Sequence, residues 1–208
     1  FLAKKTAAEK TQFACNRYRQ KTAPGQQWVY HTIEFWLLGV AMQNFWQQKF
    51  GGTADFYDDL LNPLWRELEL SPLIRTPHRV DGQPFTGLGL MLLRTDIAKL
   101  AQAFTTENSV FDEFLDKDMF DQAMQRTSKS KRLTAGNENL TYSNGFWAWN
   151  AAPALKCEKS KWIPFMSGYG GISVVFLPKG DAYYYFSDGG VFRYAEVIEH
   201  LHTHRPIC

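Results

Sequence analysis

The chain has 208 residues, enough for one ordinary domain, and its 45% hydrophobic and 21% charged residues are typical of a soluble globular protein. Its formal charge of +2 comes from scattered basic residues, which gives no electrostatic argument for nucleic acid as a partner. The densest basic stretch, "SKSKR", is short and is typical of a solvated loop. No apolar run reaches the roughly 18 residues of a transmembrane span.

The first third of the chain has the patterns of helices. Leu2 to Gln20 is rich in Ala, Lys and Glu and predicts a helix that ends at "TAPG". From His31 to Phe50 apolar residues recur at helical spacing, which predicts a second helix with one broad buried face, closed by Gly51-Gly52. Thr53 is the predicted N-cap of a third helix, Ala54 to Leu68.

The middle of the chain alternates loops with further elements. A loop punctuated by prolines runs from Ser71 to Pro84, and a Gly-rich turn follows it. A helix is predicted to start near Thr95, with Asp96 in its first turn, where the helix dipole favours an acid. Phe111 to Arg126 predicts another helix, and Tyr142 to Trp149 has the composition of a strand.

The end of the chain has the clearest pattern. The β-rich runs "GISVVFLP" and "DAYYYFSD" are joined by Lys179-Gly180 and predict an antiparallel hairpin. Val191 to His202 predicts a final amphipathic helix. Helices first, then a hairpin and a helix, predict an α+β protein.

The three cysteines are Cys15, Cys157 and Cys208, and their spacing matches no C-x-x-C pair or zinc motif, so no metal site is predicted. Chain ends usually fray unless a contact holds them, and a Cys157–Cys208 disulfide would hold this one. That bond would imply an oxidising compartment and leave Cys15 without a partner. Three reduced thiols are the alternative.

Four segments occur in an order that resembles a known family. They are "PGQQWVYHTIEFWLLGVAMQNF", "LLNPLWRELELSP", "FTGLGLMLLRTDIAKLAQAF" and "SGYGGISVVFLPKGDAYYYFSDGG", and they span nearly the whole chain. The set resembles the C-terminal part of the class C β-lactamase-like serine hydrolases, which include β-lactamases, D-alanyl-D-alanine peptidases, esterases and amide hydrolases. The resemblance implies one domain over residues 1–208. It also implies a β-lactamase/transpeptidase-like α+β fold, with an antiparallel sheet flanked by helices plus a helical region, and no cofactor.

The resemblance assigns a catalytic tyrosine to "YHT". Tyr30 would exchange protons with the nucleophile and the leaving group, and a lysine cation beside it would make the phenol a useful base. Thr32 stands where the family has Asn, and its hydroxyl offers one donor to a substrate carbonyl. His31 is either a spare proton carrier or an outward-facing residue at a helix start. Tyr142-Ser143-Asn144 matches the family's Tyr-x-Asn letters, but it falls where the family has a strand.

The resemblance also assigns a substrate-binding segment. The family has Lys/His-Thr/Ser-Gly on an edge strand, where one backbone N–H forms half of the oxyanion hole. Ser167-Gly168 is the nearest match, followed by Tyr169 and Gly170. A Gly-rich strand that serves packing alone is the alternative. Trp28, Trp147 and Trp149 either line an apolar cleft or pack in the core.

The family nucleophile, the serine of Ser-x-x-Lys, has no match before Tyr30. Ser128-x-x-Lys131 has the letters but lies downstream in a polar stretch. We therefore expect either that an upstream segment or companion chain carries Ser-x-x-Lys, or that the chain is a non-catalytic module that binds cell-wall fragments or a protein partner.

The resemblance thus predicts a periplasmic or secreted serine hydrolase that acts by acyl transfer on an ester, amide or peptide bond of a small-molecule or peptide substrate. Paired acids such as Asp112 and Glu113, or Asp116 and Asp118, suggest a carbohydrate-active enzyme as a weaker alternative, although such pairs usually lie on solvated helix faces.

Overall fold

The structure is a computed structural model that describes residues 1–18, 21–105, 111–127, 130–187 and 189–208, without the side chain of Asp112. The chain divides into two compact units. The helical unit comprises Phe1–Pro24 and Val29–Asp96, and the sheet unit comprises Gly25–Trp28 and Ile97–Cys208. Within the described ranges, no helix combines the length and the apolar character needed to cross a membrane.

The helical unit holds short and long helices and one small hairpin. Its elements are α1 (Ala7–Arg17), α2 (Thr32–Phe50), a π-helical turn (Tyr57–Leu61) that continues into α3 (Asn62–Glu67), α4 (Pro72–Arg75), β1 (Arg79–Val80) and β2 (Gln83–Pro84). Helix α5 (Arg94–Thr105) begins in this unit.

Helix α1 starts later than the sequence predicts because Thr6 caps it. The Glu9 backbone N–H donates to the Thr6 hydroxyl (3.1 Å), and the Glu9 carboxylate accepts from the Thr6 backbone N–H (3.2 Å). This reciprocal pair is a capping box, which satisfies two donors at the helix start.

Helix α2 begins where predicted, with His31 as its N-cap, but its buried face is narrower than the sequence suggests. The buried residues form one stripe, Ile33, Trp36, Gly39 and Gln43. Phe45 is one of the apolar residues at helical spacing that predict the buried face, and it is exposed. The prediction of a broad buried face is therefore wrong at the C-terminal half of the helix.

The third helical segment is capped by Asp55 and not by Thr53. The Asp55 carboxylate accepts hydrogen bonds from the backbone N–H groups of Tyr57 and Asp58 (3.0 Å each) and from the Arg79 guanidinium (2.7 Å). The prediction that Thr53 is the N-cap is therefore wrong. Asp55 takes this place and is also held by Arg79 of the β1–β2 hairpin.

The sheet unit is built on a six-stranded antiparallel sheet whose strand order follows the chain. The strands are β3 (Leu133–Ala135), β4 (Asn137–Ser143), β5 (Phe146–Asn150), β6 (Trp162–Gly168), β7 (Ile172–Phe176) and β8 (Ala182–Tyr185). The helices are α6 (Phe111–Phe114), α7 (Lys117–Ala123), α8 (Ala152–Leu155) and α9 (Tyr194–His204). The α+β class and the β7–β8 hairpin are confirmed. The single helix expected over Phe111–Arg126 is instead the two short helices α6 and α7, because Asp116 caps a new start.

One apolar core of the sheet unit contains Ile163, Phe165 and Val175 of the sheet and Ile198 of α9. Cys157 packs against this core, and its disulfide to Cys208 is present, which confirms the predicted pairing. Cys15 is an exposed free thiol.

A second group of side chains in the sheet unit is aromatic. The Phe104 ring stacks on Phe111 (centroids 4.5 Å apart) and on Phe120 (5.4 Å). It meets Phe146 and Phe176 edge-on, with centroids 5.8 Å apart in both pairs. Edge-to-face and offset-stacked pairs are the favoured aromatic geometries, so these rings connect α5, α6 and α7 to strands β5 and β7.

Candidate functional site

Tyr30 lies just before α2 in the helical unit, and 42% of its surface is exposed. Its ring packs edge-on against Phe35, with centroids 5.7 Å apart. Partial burial raises the pKa of Tyr30 above its usual value. A tyrosine phenol keeps its proton at pH 7 in any case, and the raised pKa makes Tyr30 a weaker acid, so a nearby cation would have to lower that pKa for Tyr30 to exchange protons.

Thr32 is the first residue of α2 and is held by the Gly-rich turn that the sequence predicts. Gly87 lies so close that a Cβ on it would be 2.6 Å from Thr32 Cγ2 and 2.8 Å from the Thr32 carbonyl oxygen. Only glycine permits this approach without a shift. The turn therefore fixes the helix start that carries Thr32.

His31 faces outward at the start of α2. Its backbone N–H donates to the Glu34 carboxylate (3.1 Å), and its Nδ1 atom lies 3.5 Å from the same carboxylate. Its ring centroid is 5.2 Å from that of Tyr18. These contacts belong to a helix start, which confirms the outward-facing interpretation; the proton-carrier role stays a prediction.

Ser167 and Gly168 end strand β6, and Tyr169 and Gly170 form the loop that follows. The β6 strand lies between β5 and β7, so the edge strand implied by the resemblance is wrong for the strand as a whole. However, the two ladders are staggered: β5 pairs with Trp162–Phe165, whereas β7 pairs with Phe165–Gly168. In the described part of the chain, residues 166–168 thus have a strand partner on one side only.

The staggered ladder has a local cause in the turn that follows Tyr142-Ser143. Ser143 pairs with Phe146, and between them Asn144 (φ +44°) and Gly145 (φ +97°) make a two-residue turn. Positive φ at both positions is what a tight hairpin turn needs, and Asn-Gly supplies it. Because the chain reverses here, the ladder between β5 and β6 stops at the Trp147–Phe165 pair.

Tyr142 is therefore a strand residue, as predicted. It lies opposite Trp147 in the β4–β5 ladder, with ring centroids 5.1 Å apart. The Asn-Gly dipeptide is a sequence signal for a hairpin turn, and the sequence analysis did not predict this turn.

Ser173 is a residue of this region that the sequence analysis missed. It pairs with Ser167 across the β6–β7 ladder and is fully buried, and its hydroxyl has no hydrogen-bond partner among the described residues. A buried unsatisfied hydroxyl is unusual and calls for an explanation such as a ligand or water. The sequence feature that could have identified Ser173 is its position inside the apolar run "ISVVF".

The tryptophans proposed as cleft residues make packing contacts in the sheet unit. The Trp28 ring meets Trp147 edge-on (5.6 Å), and Trp147 stacks on Phe165 (6.3 Å). Trp149 contacts Tyr194 (6.1 Å). These contacts match the core-packing alternative for Trp147 and Trp149.

The remaining candidates do not assemble into a site. Asp116 caps α7 by accepting the Met119 N–H (2.8 Å), and Asp118 and Glu113 are exposed. The Asp112 side chain and Ser128 lie outside the described residues, so the pairs that contain them are not described. Among the described residues no group of three His, Cys, Asp or Glu could hold a metal ion.

The candidate residues thus form two local groups. Tyr30 and Thr32 stand together at the start of α2 in the helical unit, and Ser167–Gly170 and Ser173 stand together in the sheet unit. Comparisons with family models, with curated proteins and with solved structures find no match to this chain.

Proposed function

We propose that the protein is a serine hydrolase that transfers an acyl group from an ester, amide or peptide bond through an acyl-enzyme. The observation that carries this proposal is the half-open stretch of β6 at residues 166–168. It stands at the segment that the resemblance assigns to substrate binding, and a Gly-rich loop with a fully exposed Tyr169 follows it.

A strand with one open side suits an acyl substrate. In an antiparallel ladder alternate residues direct their backbone N–H and C=O groups away from the paired neighbour. An extended peptide or acyl chain binds such groups as an added strand. An N–H of the same stretch would stabilise the oxyanion of the tetrahedral intermediate, and such donors contribute about 10²–10³ in rate.

The other steps need a nucleophile and a proton carrier. In the proposed reaction the serine oxygen of an upstream Ser-x-x-Lys segment, in the same chain or a companion chain, bonds to the carbonyl carbon. The serine proton passes through Lys and Tyr30 to the leaving group, and water then releases the acyl group. The lysine cation would lower the pKa of Tyr30, which burial alone raises.

Two features of the surface support the proposal that a further segment, the one with Ser-x-x-Lys, packs on this chain. The residues Leu88, Leu90, Met91 and Leu93 of the helical unit are exposed apolar side chains. Strand β8 is an edge of the sheet among the described residues, and exposed edges and apolar patches are commonly covered by other chain segments. The disulfide is consistent with a periplasmic or secreted protein.

A non-catalytic binding module is the second candidate, and the staggered ladders favour it, because a half-open strand can bind an extended chain without a nucleophile. The half-open β6 stretch would then bind an extended peptide of a cell-wall fragment or a protein partner, without turnover.

Labelling with a fluorophosphonate probe tests the proposal. We expect a longer chain with an upstream Ser-x-x-Lys to be labelled on that serine, and the 208-residue chain alone to stay unlabelled. Tyr30→Phe should slow labelling by about 10²–10⁴-fold, the usual contribution of a general acid–base group. Tyr142→Phe, a strand tyrosine, is the matched control and should leave the rate unchanged.

Absence of label on a longer chain with an intact Ser-x-x-Lys would refute the hydrolase. Binding of a cell-wall peptide by such a chain, measured by calorimetry, would then support the binding module.

A further inference from the structure

A cleft lies in the sheet unit near the start of β6. The candidate residues Ser167 and Gly168 lie at the other end of that strand. The volume of the cleft is about 950 Å³, and its lining comes from α7, Gln125–Thr127, Arg132, Trp162 and the turn after β7. Ligand sites for small molecules typically have about 300–1,000 Å³, so the cleft is large enough for an organic ligand.

Most of the charged side chains that line the cleft are basic. Among the described residues its basic side chains are Lys117, Arg126, Arg132, Lys161 and Lys179, and its acidic side chain is Asp121. That carboxylate lies 3.6 Å from the Arg126 guanidinium and 3.9 Å from the Lys117 amine. Within the described ranges no carboxylate pairs with Lys161 or Lys179. The local positive charge is therefore larger than the +2 of the whole chain.

Arg132 is held in place and has an unused donor. Its Nη2 atom donates to the carbonyl oxygens of Gln125 (3.0 Å) and Thr127 (3.2 Å), and its guanidinium lies 5.3 Å from the Trp162 ring centroid. Among the described residues its buried Nε–H has no acceptor. A guanidinium fixed by such contacts loses little freedom when it binds an oxyanion.

We propose that this cleft binds a small multivalent oxyanion, a molecule with two or more phosphate or carboxylate groups. Five cations around one cavity suit several negative charges, and arginine and lysine are the usual partners of both groups. A long polyanion such as nucleic acid fits less well, because it needs basic residues along an extended face and the rest of the basic residues are scattered.

Isothermal titration calorimetry of the whole chain with inorganic triphosphate and with citrate tests the proposal. We expect saturable binding that weakens as salt rises, and the tighter of the two ligands identifies phosphate or carboxylate as the preferred group. The double substitution Lys117→Gln and Lys161→Gln should weaken binding roughly tenfold or more, since each charge-assisted contact contributes measurably. The melting temperature of the variant should stay close to that of the unmodified chain, because Lys117 is exposed and Lys161 is partly exposed.

Lys5→Gln is the matched control, since it removes one exposed lysine of the helical unit and lies outside the cleft. It should bind triphosphate and citrate as the unmodified chain does. The proposal is overturned if neither ligand binds at millimolar concentration, if the double variant binds unchanged, or if Lys5→Gln weakens binding equally. Tighter binding of a single-stranded oligonucleotide than of triphosphate would also overturn it.

Discussion

Two neighbouring glycines in the loop after β6 share one backbone conformation and differ in the space around them. Gly170 and Gly171 both have φ +85°. A Cβ on Gly171 would lie 2.7 Å from the Val191 carbonyl oxygen and 2.8 Å from Ser187 Cβ, whereas a Cβ on Gly170 would meet nothing within 4 Å. The loop beside the candidate substrate stretch is thus tied to the chain before α9 through Gly171.

We predict that Gly170→Ala lowers the free energy of unfolding by about 1–2 kcal/mol, the cost of a left-handed L-residue. Gly171→Ala has the same backbone cost and adds about 1–3 kcal/mol of overpacking. Urea denaturation of both variants measures the difference, in which the common backbone strain cancels. Equal losses in the two variants would mean that the close contact at Gly171 does not constrain the loop.

At the scale of elements, Asp55 joins the start of the third helical segment to the β1–β2 hairpin. Burial of Asp55 works against its charge, but hydrogen bonds from Arg79 and from the backbone of Asp58 outweigh it and hold the pKa of Asp55 below its usual value. A carboxyl with a depressed pKa in the folded state stabilises the fold above its unfolded pKa of about 3.9. That contribution is lost as the pH falls through the folded pKa.

We therefore expect the free energy of unfolding to decrease as the pH drops below about 4. Asp55→Asn should be less stable than the unmodified chain at pH 7 and should lose less stability over the same acidic range. Urea denaturation from pH 7 to pH 3 measures both effects. Asp118→Asn, which changes an exposed acid, is the control and should follow the unmodified chain; if Asp55→Asn also follows it, the Asp55 carboxylate has no such role.

Elements that depend on local patterns could be predicted from the sequence, and those that depend on distant contacts could not. The β7–β8 hairpin and the start of α2 follow from local patterns and are confirmed. The choice of Asp55 over Thr53 as cap depends on Arg79, which is distant in the sequence and not visible in a local pattern. The exposure of Phe45 likewise depends on which elements pack against α2, since helical spacing alone marks every apolar residue of the face as a candidate for burial.

The candidate site was predictable only in its local parts. The sequence placed Tyr30 before a helix and Ser167-Gly168 on a strand, and both placements are confirmed. The half-open side of residues 166–168 was not predicted, because it depends on where the neighbouring strand β5 begins. The Asn144-Gly145 turn sets where β5 begins, and this dipeptide is a turn signal in the sequence.

At the scale of the whole molecule, the Cys157–Cys208 disulfide closes a sequence separation of 51 residues that includes β6, β7, β8 and α9. We predict that removing it, by reductant or by the double substitution Cys157→Ser and Cys208→Ser, lowers the free energy of unfolding by about 4 kcal/mol, since a closed loop of this length restricts the unfolded chain.

Urea denaturation with and without reductant measures this effect, and Cys15→Ser in both states excludes exchange through the exposed thiol. The same midpoint with and without reductant would show that the bond adds nothing to the stability of the fold.

The strand order of the sheet has a consequence for how fast the sheet unit folds. Each strand from β3 to β8 pairs with the strand next to it in the sequence. Every ladder therefore closes through a local connection, the longest of which contains α8 between β5 and β6, and none has to wait for a distant part of the chain. Folding rates rise as contacting residues lie closer in sequence, so we expect this sheet to fold fast for a β structure.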